Sequence, residues 1–139
     1  MSPETTHSFR VRYNECDQVG IVFNANFLIY ADVAANEFWR EHLGGYSTLK
    51  DLGLDVVLAE ANIRFRRPLH FDEDFEVRVG VGTITSRSME MEFGFTRDGE
   101  AVADITIAYV CIDTSSQEPR PIPEGIRSVL EGQGSESAI

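Results

Sequence analysis

From Leu54 onward the chain carries almost nothing but strand signal, and ahead of that lies one long amphipathic helix. That imbalance limits the fold more than any other feature. From about Asn26, Phe27, Tyr30, Ala34 and Phe38 recur at helical spacing with Ala31 and Ala35 beside them. Asp32, Asn36, Arg40 and Glu41 fall on the opposite side. Gly44-Gly45 closes this helix, because glycine tolerates the left-handed cap. A short helical turn is expected from Ser47, as its N-cap, to Gly53. Leu54–Arg67 then reads as extended chain closed by Pro68. Phe75, Val77, Val79 and Val81 alternate with Glu76, Arg78, Gly80 and Gly82, and Met89, Met91, Phe93 and Phe95 alternate with Glu90, Glu92 and Gly94. Asp98-Gly99 is a two-residue hairpin turn leading into Glu100–Asp113. Upstream, Arg10–Asn14 reads as a half-buried strand, with Phe9, Val11 and Tyr13 on one face and Arg10 and Arg12 on the other. After Pro119–Pro123 a short helix is expected over Glu124–Leu130, followed by a frayed polar tail, Gly132–Ile139.

One helix offers one apolar stripe, and a curved antiparallel sheet of about five strands can wrap it. The expectation is an α+β domain of two layers spanning residues 1–139. The outer sheet face is expected to keep many apolar side chains, so that copies pair as a homodimer or homotetramer. At 42% apolar residues the chain can bury a core without a covalent staple. Twelve basic against twenty-three acidic residues give 12 − 23 = −11, which argues against nucleic acid as a partner. No apolar run approaches the roughly 20 residues that cross a bilayer. Met1–Ser8 lacks the cationic start and apolar stretch of a signal peptide. Cys16 and Cys111 form no C-x-x-C pair. A soluble cytoplasmic protein is expected.

The stretch with chemical content runs from Cys16 to Phe27. A carboxylate, Asp17, stands in a loop ahead of a buried helix, and Gly20 lets the backbone bend close to a bound group. The first helical turn leaves N–H donors unpaired at the positive end of the dipole, which suits a developing oxyanion. A nearby carboxylate can attack an acyl carbon or deprotonate water. Thioester hydrolysis needs those two parts and no metal or cofactor. By spacing alone, Asp17 reads more readily as a loop aspartate or a helix cap.

The segment Asp17, Gly20, Ile21-Val22-Phe23, Asn26 and the later Asp32 resembles the signature of hot-dog-fold acyl-CoA thioesterases of the 4-hydroxybenzoyl-CoA thioesterase type. Arg64–Pro68, Asp72–Val77, Asp98-Gly99 and Pro121–Glu124 extend the likeness from about His7 to Leu130. The resemblance implies a hot-dog fold and hydrolysis of an acyl-CoA to the free acid and CoA. An aryl-CoA such as 4-hydroxybenzoyl-CoA is the leading substrate, with short- or medium-chain acyl-CoA next. It implies that Asp17 is the catalytic nucleophile or general base. Asn24 would present the backbone N–H that polarises the carbonyl, where many relatives carry His or Tyr. Gly20 would lie against the substrate, and Asp32 would meet the far end of the acyl group, although a solvated helix-face carboxylate fits Asp32 slightly better. Arg87, flanked by Ser86 and Ser88, opens a strand where the family often binds the nucleotide end.

The other polar residues compete weakly. Arg64, Arg66 and Arg67 fit phosphate contacts, or surface pairing with Glu60, Glu76 or Glu92. His7, His42 and His70 lack ligand spacing. Cys16 reads as a small buried filler. Glu37 would suit a hot-dog type whose acid sits on the helix, which the loop Asp17 disfavours. Hydratase chemistry is a poor fit, since no histidine lies between His7 and His42. A non-catalytic acyl-thioester binder and a hydrolase of carrier-protein thioesters remain as alternatives.

Overall fold

The computed structural model describes residues 2–132, so most of the expected polar tail lies outside the described residues. Five strands, β1 (Thr5–Arg10), β2 (Leu54–Phe65), β3 (Asp74–Ile84), β4 (Ser88–Arg97) and β5 (Glu100–Asp113), form one antiparallel sheet in the order β1-β3-β4-β5-β2. Helix α1 (Asn26–Leu43) lies across its inner face, α2 (Ser47–Lys50) follows it, and α3 (Glu124–Leu130) closes the described chain.

The helical stripe is the core. Phe27, Tyr30, Ala31, Ala34, Ala35, Phe38 and Trp39 are all buried, against Phe75, Val77 and Val79 of β3, Met91, Phe93 and Phe95 of β4, and Ile105 and Ile107 of β5. Three alanines on the buried face let the sheet approach the helix backbone closely. Side chains on alternate strand positions fill the space on either side. Gly44 adopts φ +76° and ends α1, while Asp98 and Gly99, at φ +52° and +79°, form the tight turn between β4 and β5.

Several boundaries depart from the sequence reading. β1 is Thr5–Arg10, not a strand over Arg10–Asn14. Val11 is buried, but the chain then winds into a 3₁₀ turn at Tyr13–Glu15, leaving Tyr13 81% exposed. The cause is Glu15, whose buried carboxylate accepts the Arg12 N–H at 2.7 Å and pulls the backbone out of the ladder. β2 stops at Phe65, because the Arg66 and Arg67 amides both donate to Val102 O, at 2.8 and 3.1 Å. Ser47 opens α2 but does not cap it. Tyr46 holds the cap position without a side-chain hydrogen bond, and the helix ends at Lys50.

The outer sheet face is more polar than expected. Glu76, Arg78 and Glu92 stand exposed there, with Gly80 and Gly94 between them. Exposed apolar side chains gather instead on β2, at Val57, Leu58 and Phe65, and on α1 at Ile29 and Val33. Among the described residues β2 pairs only with β5, leaving its other edge open. A bulge breaks its register between Leu58 and Glu60.

Candidate active site

The loop between the 3₁₀ turn and α1 is a small hairpin of its own. Cys16 bridges Val22, Asp17 N–H donates to Ile21 O at 2.8 Å, and Phe23 N–H donates to Glu15 O at 3.0 Å. At its tip, Gly20 N–H returns to Asp17 O at 3.0 Å, with Gly20 at φ +86°. The Asp17 carboxylate accepts the Val19 N–H on Oδ1 at 2.9 Å and that of Ile21 on the same oxygen at 3.4 Å. This is the Asx-turn arrangement, in which an aspartate orders its own loop. Oδ2 accepts no hydrogen bond among the described residues. Asp17 is exposed, in a cleft of about 650 Å³ shared with Tyr13, Cys16, Gln18, Gly20 and Phe71.

The start of α1 lies on the other side of the Gly20–Val22 segment. Its cap position is Ala25, in helical conformation and without a side-chain cap. Asn26 N–H is taken by Phe23 O at 2.9 Å and Phe27 N–H by Asn24 O at 3.2 Å. The N–H groups of Asn24 and Ala25 find no acceptor among the described residues. Two free amides at the positive end of an 18-residue helix make a donor pair for a negatively charged oxygen. Asn24 lines a mainly apolar cleft of about 370 Å³ with Ile21, Val22, Phe27, Phe65 and Pro68, rimmed by Arg66 and Arg67.

Asp32 faces a third cavity, of about 420 Å³, between α1, α2, β2 and β5. Leu28, Val56, Leu58 and Ile107 form its apolar walls, and Tyr46, Lys50, Asp55 and Tyr109 its polar ones. Tyr109 is 8% exposed and lines this cavity. Burial, reinforced by the Asp32 charge, pushes this phenol up to about 12, so it stays protonated and able to donate. Tyr46 is raised for the same two reasons, with Tyr109 and Asp55 adding to the effect.

The sequence-predicted residues therefore divide among separate surfaces of one protomer. Asp17 and Gly20 share a cleft, Asn24 lines its neighbour, and Asp32 lines a third. Arg87, in the turn between β3 and β4, lines none of these three. Its side chain is exposed, and its backbone oxygen accepts the Cys111 N–H at 2.8 Å. Arg66 pairs with Asp104 at 2.6 Å and Arg67 with Glu100 at 3.7 Å, rather than with Glu60, Glu76 or Glu92. His7, His42 and His70 sit on β1, on the last turn of α1 and in the loop before β3. Cys16 is only partly covered; burial and the charges of Glu15 and Asp17 raise its thiol pKa. Sequence reasoning missed Glu15, Phe65, Phe71, Tyr46, Lys50 and Tyr109. Each reaches its site through tertiary contacts that leave no local pattern.

Known proteins similar to this chain define its family. Residues 11–130 match the thioesterase-like superfamily. The chain is 33% identical over 122 residues to a protein of Aquifex aeolicus (strain VF5) named provisionally as an esterase, covering 88% of this chain and 94% of that one. It is 28% identical over 131 residues to a 1,4-dihydroxy-2-naphthoyl-CoA hydrolase of Nostoc punctiforme, covering 91% and 86%. Its fold superposes on a gentisyl-coenzyme A thioesterase with a TM-score of 0.80 and 28% identity, over 88% of this chain and 99% of that one. The chain belongs to the thioesterase-like superfamily. It has the hot-dog fold and is a thioester hydrolase.

Proposed function

We propose that this protein hydrolyses an acyl-CoA whose acyl group is a hydroxylated aromatic ring, 4-hydroxybenzoyl-CoA being the model compound. The observation that carries this reading is the pair of free amides at Asn24 and Ala25, opening α1 beside the Asp17 loop. Asp17 Oδ2 either attacks the acyl carbon, giving a mixed anhydride that water then cleaves, or removes a proton from an attacking water. In both cases charge develops on the thioester oxygen as the nucleophile adds, and returns to re-form the carbonyl as the C–S bond breaks and CoA thiolate departs. The Asn24 N–H stabilises that charge, most strongly once the cleft excludes water. A backbone donor serves although Asn24 stands where many relatives have His or Tyr. Gly20 keeps the loop tip free of a side chain that would crowd the substrate.

The Asp32 cavity supports the aryl reading. Apolar walls end in polar groups, Tyr109 and Tyr46 among them, an arrangement suited to a ring with a hydroxyl at its far end. Short- and medium-chain acyl-CoA is the second reading, favoured by the apolar lining of the Asn24 cleft. CoA must approach a protein of net charge −11. With a screening length of about 8 Å at physiological salt, local charge decides. The exposed Arg87 is the side chain proposed to take a CoA phosphate.

Two copies complete the site. The open edge of β2 bears exposed Val57 and Leu58, and antiparallel pairing of two such edges makes one continuous sheet. A two-fold axis near the bulge brings the Phe65 end of β2 against the Leu54 end of its partner. The Asn24–Phe65 cleft of one protomer then faces the Asp32 cavity of the other. A homodimer, or a homotetramer built from it, follows from this pairing.

The test is thiol release from a panel of hydroxyaryl-, benzoyl- and fatty acyl-CoA, with carrier-protein thioesters included. Highest kcat/KM on hydroxyaryl-CoA is the expected result. Preference for a carrier-protein thioester or a fatty acyl-CoA overturns the substrate assignment. Single-turnover hydrolysis in ¹⁸O-water, followed by analysis of the Asp17 carboxylate, separates nucleophile from general base.

A further inference from the structure

Glu15 is the one carboxylate buried among the described residues, at 8% exposure, and nothing in the reaction above uses it. Its Oε1 accepts the Arg12 N–H at 2.7 Å and the Tyr30 hydroxyl at 2.8 Å. Its Oε2 accepts the Arg12 guanidinium through two N–H groups, at 3.1 and 3.0 Å. Its backbone oxygen accepts twice more, from Phe23 N–H at 3.0 Å and from the Asn26 side-chain amide at 2.8 Å. The residue thus joins three pieces: the turn before the Asp17 loop, the backbone just before Asn24, and two successive turns of α1. Tyr30 is itself fixed by aromatic neighbours, with Phe75 at 4.8 Å and Phe9 at 5.4 Å between ring centres.

We infer that Glu15 is a positioning residue. It clamps the Asp17 loop onto the start of α1 and so sets the separation between the Asp17 carboxylate and the free amides of Asn24 and Ala25. The inference rests on Asp17 and Asn24 acting as proposed above. A buried, fully hydrogen-bonded anchor suits such a task, because removing one partner leaves a desolvated charge or donor unpaired. Placement within a fraction of an ångström is what transition-state geometry demands.

The clamp is ionised. Burial alone pushes the Glu15 carboxyl up, but hydrogen bonds from the Arg12 amide, the Tyr30 hydroxyl and the Arg12 guanidinium outweigh it. The group therefore stays below the usual carboxylate range. The titratable and charged groups facing it are Arg12 from the turn, Tyr30 from α1, and Cys16 from the loop. Deleting the Tyr30 hydroxyl leaves burial less opposed, so Glu15 takes up a proton at higher pH and one acceptor is lost. The clamp then loosens while the fold stays.

The experiment combines kinetics with backbone amide titrations of the full chain. The Arg12 amide reports Glu15, the Val19 amide reports the Asp17 loop, and the Phe23 amide reports the junction. Glu15→Ala is expected to lower kcat about 10²-fold with KM within about threefold, the pattern of lost alignment. Glu15→Gln, which keeps an oxygen for the Arg12 amide and Tyr30 but loses the acceptor of the Arg12 guanidinium, is expected to restore part of that rate. In Tyr30→Phe the acid limb of kcat/KM moves to higher pH, and the Arg12, Val19 and Phe23 amides titrate together at the new midpoint. A second substitution, Glu15→Gln in that background, abolishes the movement. The inference is overturned if Glu15→Ala lowers the melting temperature but leaves kcat within about twofold. It is equally overturned if the Arg12 amide midpoint moves in Tyr30→Phe while Val19 and Phe23 stay put. Should Glu15→Ala fail to fold, Tyr30→Phe decides, since it removes a single oxygen. Should the wild type release thiol from no thioester, the reaction reading fails, and the amide titrations still decide the clamp.

Discussion

The N–H of Val19 donates to Oδ1 of Asp17 at 2.9 Å, and the turn that makes this bond depends on Gly20 adopting φ +86° one residue later. A Cβ at Gly20 would meet no atom within 4 Å, so the cost of a side chain is conformational alone. Gly20→Ala is therefore expected to destabilise by about 1–2 kcal/mol, and Gly20→Asn by less because asparagine tolerates the left-handed region. Urea unfolding of both variants checks the order.

The fully buried Ala34 allows α1 to lie close on the sheet. Ala34→Leu forces added methylenes into a filled layer and is expected to cost about 1–3 kcal/mol, or more if the backbone cannot shift. Phe38→Ala, which leaves a cavity instead, is expected to cost about 3–5 kcal/mol. Denaturant midpoints at constant slope would report both.

Acid should destabilise the fold through identifiable groups. Glu15 and Glu73 are pushed up by burial, yet both end below their ordinary values. Hydrogen bonds from Arg12 and Tyr30 do this at Glu15, and bonds from His70 and Arg97 at Glu73. A lowered folded-state pKa means that the unfolded chain binds protons first as pH falls. The stability these groups contribute is present above the unfolded carboxylate range and is lost as pH drops through the folded values. Unfolding free energy measured between pH 6 and pH 3 should fall, and Glu15→Gln should flatten part of that slope. Equal slopes in both proteins would remove Glu15 from the account.

Substrate preference offers a separate check on the Asp32 cavity. Tyr109→Phe deletes one hydroxyl and keeps the packing. It is expected to lower kcat/KM for hydroxyaryl-CoA by about 3–10-fold, the range for one lost hydrogen bond, while benzoyl-CoA is unaffected. A uniform loss across both substrates would make Tyr109 structural only.

In the proposed homodimer, the open edge of β2 carries the contact. Leu58→Lys places a charge on the open strand edge and is expected to convert the assembly to monomer by light scattering. Thiol release should fall with it, because the paired cavity is lost. A monomeric wild type contradicts the two-copy site.

Features legible in the sequence were those written in local pattern. The stripe from Phe27 to Phe38, the Asp98-Gly99 turn and the limits of β5 and α3 all depend on neighbours within a few residues. The end of β1 was not legible, because Glu15 overrides the alternation of Val11 and Tyr13 through bonds to Tyr30 and Asn26, far along the chain. The polar wall facing Asp32 was hidden for a similar reason. Tyr109 looks like any inward strand residue until Asp32, Tyr46 and Lys50 are brought beside it. Resemblance, rather than periodicity, singled out Asp17, whose loop position fits a structural carboxylate as well.

In the proposed reaction the Asp17 carboxylate does the chemistry while the amides of Asn24 and Ala25 hold the oxygen. Steady-state and single-turnover thiol release by Asp17→Asn tests it most directly, since the variant keeps an oxygen for the Val19 and Ile21 amides and loses only the charge. A fall in kcat on the order of 10²–10⁴-fold is expected, with substrate affinity nearly unchanged. Turnover within a few-fold of wild type would contradict it.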